Sequence, residues 1–229
     1  MQMWSRFALS AAALAGVAST SDAAVMVLGR TDARACYEAA RDGRSDPGAL
    51  TICDKAVQQD WISGSDLAAT HVNRGILSMR RNDVDVAIAD FNRAIRLRPN
   101  IGEAYLNRGA ALLLKGADQA ALNDLTNSLR LGSRQPQSAH YNRAIARERL
   151  GDVRGAYDDY QAALALTPDW QLPQTQLKRF KIADPNRPPE VSGAIRAVLG
   201  STTQVLAPRQ DVAPAAPGDQ PSAGDQPRN

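Results

Sequence analysis

The chain has 229 residues, room for one ordinary domain with appendages. Apolar residues make up 44% and aromatics only 5%, so the core must rest on Ala, Leu, Ile and Val, which suits close-packed helices and argues against an aromatic-rich β-sandwich. The net charge is +3 with both signs interleaved along the chain, which leaves no Lys/Arg cluster of the kind nucleic acid requires.

The first element is a targeting segment. Arg6 supplies a positive start, and residues 7–18 form an apolar run of small side chains. That run is about twelve residues, whereas a membrane span needs about twenty. Ser21-Asp22-Ala23 fits the small-x-small rule for cleavage. Residues 1–23 therefore read as a signal peptide, with cuts after Ala23 and Ala24 both open. The expectation is an exported chain, periplasmic or secreted, whose mature part does not insert into a membrane.

Residues 31–42 and 48–58 predict two helices, the second opened by Asp46 as N-cap and Pro47 in the first turn. Three further helix pairs then recur in phase. His71-Val72-Asn73-Arg74-Gly75 returns 34 residues later as Tyr105-Leu106-Asn107-Arg108-Gly109, and 35 residues after that as His140-Tyr141-Asn142-Arg143-Ala144. Ala87-Ile88-Ala89-Asp90-Phe91 returns as Ala121-Leu122-Asn123-Asp124-Leu125 and as Ala156-Tyr157-Asp158-Asp159-Tyr160. Small Gly75, Gly109 and Ala144 let Ala87, Ala121 and Ala156 approach, while Phe91, Leu125 and Tyr160 plug the next repeat. Asn82, Gly116 and Gly151 mark the turns, and Asp83, Asp118 and Asp152 are placed to cap the second helices. Pro99 and Pro168 close two of the repeats.

These residues resemble the tetratricopeptide repeat (TPR) family. The resemblance implies an all-α TPR solenoid, a right-handed superhelix of helix-turn-helix repeats. It would comprise a divergent repeat at 31–64, clear repeats at 68–101, 102–135 and 137–168, and a capping helix at 169–182 carrying Trp170, Leu172, Leu177 and Phe180. In the divergent repeat Cys53 replaces the aromatic plug and Tyr37 stands where Gly is expected. Residues 183–229 read as a Pro-broken linker, a short helix at 190–199 and a disordered tail too poor in apolar residues to pack.

The resemblance also implies which positions face the concave groove. They are Val72, Asn73, Ile76 and Met79, then Leu106, Asn107, Ala110 and Leu113, then Tyr141, Asn142, Ile145 and Arg149. They read as an exposed apolar strip threaded by an Asn ladder that either hydrogen-bonds a bound peptide backbone or ties helices together. No Lys occupies the groove positions, which argues against clamping of a C-terminal carboxylate. Cys36 and Cys53 face each other across the first hairpin and are expected to form a structural disulfide, a redox-active pair being the alternative. Arg74, Arg108 and Arg143 recur sixteen residues before Asp90, Asp124 and Asp159, which favours inter-helix ion pairs over an anion-binding stripe. His71 and His140 read as packing residues, two repeats apart and too distant to share a metal.

No nucleophile triad, phosphate loop or metal cluster is legible. The expectation is a non-catalytic protein–protein scaffold of the cell envelope, without cofactor, metal or nucleic acid, taking a partner's peptide segment. The alternative is a self-associating structural protein with no peptide ligand, and homo-oligomerisation stays open.

Overall fold

The computed structural model describes residues 24–26, 32–44, 46–59, 62–181 and 190–191. Among them nine helices follow one another: α1 Asp32–Arg41, α2 Pro47–Val57, α3 Gly64–Arg80, α4 Val84–Leu97, α5 Gly102–Leu114, α6 Asp118–Arg130, α7 Pro136–Arg149, α8 Val153–Leu166 and α9 Gln171–Leu177. The first eight pair as hairpins, and each hairpin packs on its neighbours in sequence, so the stack is an all-α solenoid.

The turns within all four hairpins share one device, with Gly43 (73°) serving after α1. After α3, α5 and α7 the chain swings through positive φ at Asn82 (66°), Gly116 (72°) and Gly151 (86°). The next amide then reaches back five residues, as in Asp83 N–H to the Ser78 carbonyl, Ala117 to Leu112 and Asp152 to Arg147. This Schellman closure satisfies carbonyls that the helix end leaves orphaned. It also corrects the expected caps. Asp83 makes no side-chain cap bond, and Asp118 lies inside α6, whose cap position is Ala117. Only Asp152 accepts from a helix amide, that of Gly155. A Cβ on residue 155 would stand 2.2 Å from the Asp152 carboxylate, which would have to shift to admit it; Val86 fills the matching place in α4.

Hairpin packing follows the small-against-large pairing. Gly75 faces the Phe91 ring and Gly109 faces Leu125, so closely that a Cβ would lie 2.6 Å from Phe91 Cε1 or 2.7 Å from Leu125 Cγ. Leu125 Cγ is a branch point that cannot swing aside. Gly109→Ala should therefore lower stability by about 1–2 kcal/mol, because overpacking outweighs the gain of up to about 1 kcal/mol from helix propensity. Urea unfolding checks this, and a stabilised variant would refute the close approach.

At the C-terminal end the cap is shorter than expected. α9 covers Gln171–Leu177, after which Phe180–Lys181 (β1) pairs antiparallel with Glu190–Val191 (β2). Residues 190–191 are thus strand, not the start of a helix. The remainder of that expected helix, the tail and the signal peptide lie outside the described residues. Trp170 and Phe180 are buried and stack in tilted or edge-on geometry on Tyr141, Tyr157 and Tyr160, closing the last repeat.

At the other end Cys36 of α1 and Cys53 of α2 are joined as a disulfide with Cα atoms 4.8 Å apart, both fully buried. Among the described residues no helix is long and apolar enough to cross a membrane.

Candidate peptide-binding face

Each hairpin from the second onward carries the same charged rung. Arg74 donates to Asp90 through Nε (2.8 Å) and Nη2 (2.6 Å). Arg108 holds Asp124 in the same bidentate way at 2.6 and 2.7 Å, and Arg143 holds Asp159 at 2.8 and 2.7 Å. All three arginines are engaged within their own hairpins, which supports the ion-pair reading and removes the basic stripe. The histidines do more than pack. His71 Nδ1 lies 3.0 Å from Asp90 Oδ1, and His140 Nδ1 lies 2.8 Å from Asp159 Oδ1. In the middle hairpin Tyr105 takes that place and lies under the Arg108 guanidinium, 5.5 Å from ring centroid to charge. Burial pushes the Asp159 carboxyl up, but bonds from His140 and Arg143, with Arg147 adding attraction, hold it below the usual carboxylate range.

The positions expected to form an open strip are interior instead. Val72, Asn73, Ile76, Leu106, Asn107, Ala110, Leu113, Tyr141, Asn142 and Ile145 are all buried, and of the set only Met79 and Arg149 are partly exposed. The reason is enclosure. α3 packs against α1, α2, α4 and α5, and α5 against α3, α4, α6 and α7, so little of either circumference stays open. Val72 and Ile76 belong to the core around the disulfide, and Leu106, Leu113, Tyr141 and Ile145 to the core around Trp170. Arg149 bridges helices, donating to the Leu113 carbonyl at 2.8 Å and to Asp118 at 3.1 Å.

At one rung the Asn ladder holds a segment from outside the repeats. The amide of Asn73 takes both main-chain groups of Val25: the Val25 N–H donates to Oδ1 at 2.8 Å, and Nδ2 donates to the Val25 carbonyl at 2.8 Å. The Val25 side chain packs where α1, α2 and α3 converge, beside a cluster built on Ala33, Ala56 and Ala69. Nothing in the helical periodicity could have signalled this contact, because residues 24–26 lie outside any repeat. One repeat on, Asn107 donates Nδ2 to the Glu103 carbonyl of its own helix at 2.9 Å, and its buried Oδ1 has no hydrogen-bond partner.

Other polar groups are tied up structurally. Tyr160 Oη donates to Glu148, which also receives Arg179. Burial pushes the Tyr141 phenol up to about 12, so it carries no acid–base role near neutral pH. Among the described residues no three His, Cys, Asp or Glu side chains gather in a way that could hold a metal.

The model of the tetratricopeptide repeat matches residues 137–170, the last of the hairpins. No curated protein matches the sequence. Among solved structures, the crystal structure of MamA is similar at 18% identity, covering 66% of this chain and 82% of that one with a TM-score of 0.53. The MamA RS-1 ArsTM double mutant is similar at 20% identity, with 66% and 83% covered and a TM-score of 0.54. The first TPR of Spaghetti (RPAP3) bound to an HSP90 peptide matches at 23% identity over 50% of this chain and 90% of that one, with a TM-score of 0.48. Stack, turns and small-against-large packing define an α-solenoid of helical hairpins. The tetratricopeptide-repeat model matches the last hairpin, and the likeness to MamA shows the same helical-repeat fold.

Proposed function

We propose that the chain is a non-catalytic scaffold of the cell envelope that holds an extended segment of a partner protein along its first helices α3, α5 and α7. The observation that carries this is the paired hydrogen bonding of Asn73 to the main chain of Val25. An amide that donates and accepts at once reads an extended backbone without regard to sequence. Asn107 and Asn142 hold the equivalent positions in the next two hairpins. Location in the envelope rests on the reading of residues 1–23 as a signal peptide.

Substituting Leu106 or Tyr141 by a charged residue is no test of binding, because both are buried and the change unfolds the core. A photo-crosslinker at partly exposed Met79, on the first-helix side, avoids this. The control is the same group at Val86 on α4, which is exposed. In the envelope fraction, position 79 should capture a distinct partner and position 86 should not. Capture from position 86 alone would move the site to the second helices.

A further inference from the structure

We infer that residues 24–26 are a built-in ligand of the Asn73 site, which a partner's segment has to displace; this rests on the reading of the first helices as a peptide-binding face. Val25 satisfies both halves of the Asn73 amide and places its side chain against Ala33, Ala56 and Ala69, one alanine from each of α1, α2 and α3. Tyr37 and Ile62 pack on the same three alanines, and Val25 completes this small apolar cluster. Ala24 packs on the neighbouring cluster around the disulfide, and Met26 is exposed. The contact is therefore that of a ligand: main chain held by an amide, side chain set into an apolar cluster.

Residues 24–26 serve one rung. Neighbouring helices stand about 8–10 Å apart and an extended chain advances about 3.3 Å per residue, so successive rungs are about three residues apart. Val25 answers Asn73, whereas Asn107, one hairpin on, keeps a buried Oδ1 without a hydrogen-bond partner. A partner segment of six or so residues, extended and carrying a β-branched residue in the place of Val25, would span the distance between rungs by the same spacing. Such a segment competes with residues 24–26 for the Asn73 amide. The internal segment thus sets a threshold that shorter or poorly matched peptides do not pass.

The test uses the full chain and a fluorescent peptide copying residues 24–29. Val25→Asp cannot be buried among the three alanines, so the internal segment leaves the site. Peptide affinity should then rise about tenfold over the unaltered chain, as expected if the segment fills the site about nine-tenths of the time. Adding Asn73→Ala should cancel the gain, and a peptide N-methylated at its valine should bind neither form. Hydrogen exchange at the Val25 amide of the unaltered chain gives an independent reading: protected there, and exposed in Asn73→Ala. Unchanged affinity on Val25→Asp, or free-peptide exchange at Val25, overturns the built-in ligand. Peptide binding that depends on Asn73, with no capture from position 79, upholds it while the partner reading fails.

Discussion

Replacing Arg74 by alanine should lower the unfolding free energy by about 3–5 kcal/mol, the usual cost of stripping one partner from a buried ion pair. Asp90 is fully buried and receives Arg74 twice, with His71 at 3.0 Å as its other close partner. Without the guanidinium a carboxylate stays in the interior with too few donors. Arg93 reaches it only at 3.4 Å from a half-exposed position. The loss of the exposed Arg74–Asp54 contact adds little. The effect should depend on pH. Burial pushes the Asp90 carboxyl up, but the bonds from His71 and Arg74 outweigh it and hold it below the usual range. A carboxyl depressed in the folded state stabilises the fold above its unfolded value of about 3.9, and that stability fades as pH falls through the folded value. The unaltered chain should therefore lose melting temperature below about pH 4. The Arg74→Ala deficit should be full at neutral pH and shrink in acid, where protonation removes the unpaired charge. Thermal melts across pH check both statements. An equal deficit at neutral and acid pH would mean that the arginine stem contributes by packing and the charge does not.

The solenoid was legible because its physics repeats. Gly75 against Phe91 and Gly109 against Leu125 are the same close approach, one period apart, and a period survives any single degenerate position. The charged rungs were legible for the same reason, since Arg and Asp recur together at one spacing. The histidine–carboxylate bonds carried a weaker signal of the same kind, a spacing of nineteen residues at both His71 and His140, hidden because the middle hairpin has Tyr105 there. What could not be read was exposure. Periodicity shows which face of α3 is apolar, but whether Val72 meets solvent or another helix depends on α1 and α5, which belong to other repeats. The failed caps at Asp83 and Asp118 have local causes that composition does not reveal: Asp118 lies one residue inside α6, past its cap position Ala117, and Asp83 makes no side-chain cap bond although it holds that position. Val25 had no pattern at all, since one extended segment against one asparagine makes no period.

Reducing the Cys36–Cys53 disulfide should cost about 3 kcal/mol, the value expected from chain entropy for a loop of this size. The bond spans a sequence separation of 17 and ties α1 to α2, the only hairpin with a cysteine in place of the large plug. Its surroundings explain why it matters. The buried residues of α1 and α2 are Ala33, Cys36, Ala39, Ala40, Ala49, Cys53 and Ala56, all small, so the hairpin buries little apolar area of its own. Among the described helices the hairpin packs on one neighbour, α3. Reduction should therefore act locally before it acts globally. Hydrogen exchange should speed up across α1 and α2 while α5 to α8 stay protected, because an end repeat opens below the global unfolding energy. The Val25 amide should lose protection in the same step, since Ala33 and Ala56 belong to the cluster on which Val25 packs. In a melt, about 3 kcal/mol corresponds to a fall of roughly 6–12 °C for a chain with about 150 ordered residues. Cys36→Ala with Cys53→Ala should reproduce the shift without reductant. If both the melting temperature and α1–α2 exchange stay unchanged on reduction, the hairpin is held by its packing on α3 alone, and the disulfide has no part in keeping the Asn73 site closed.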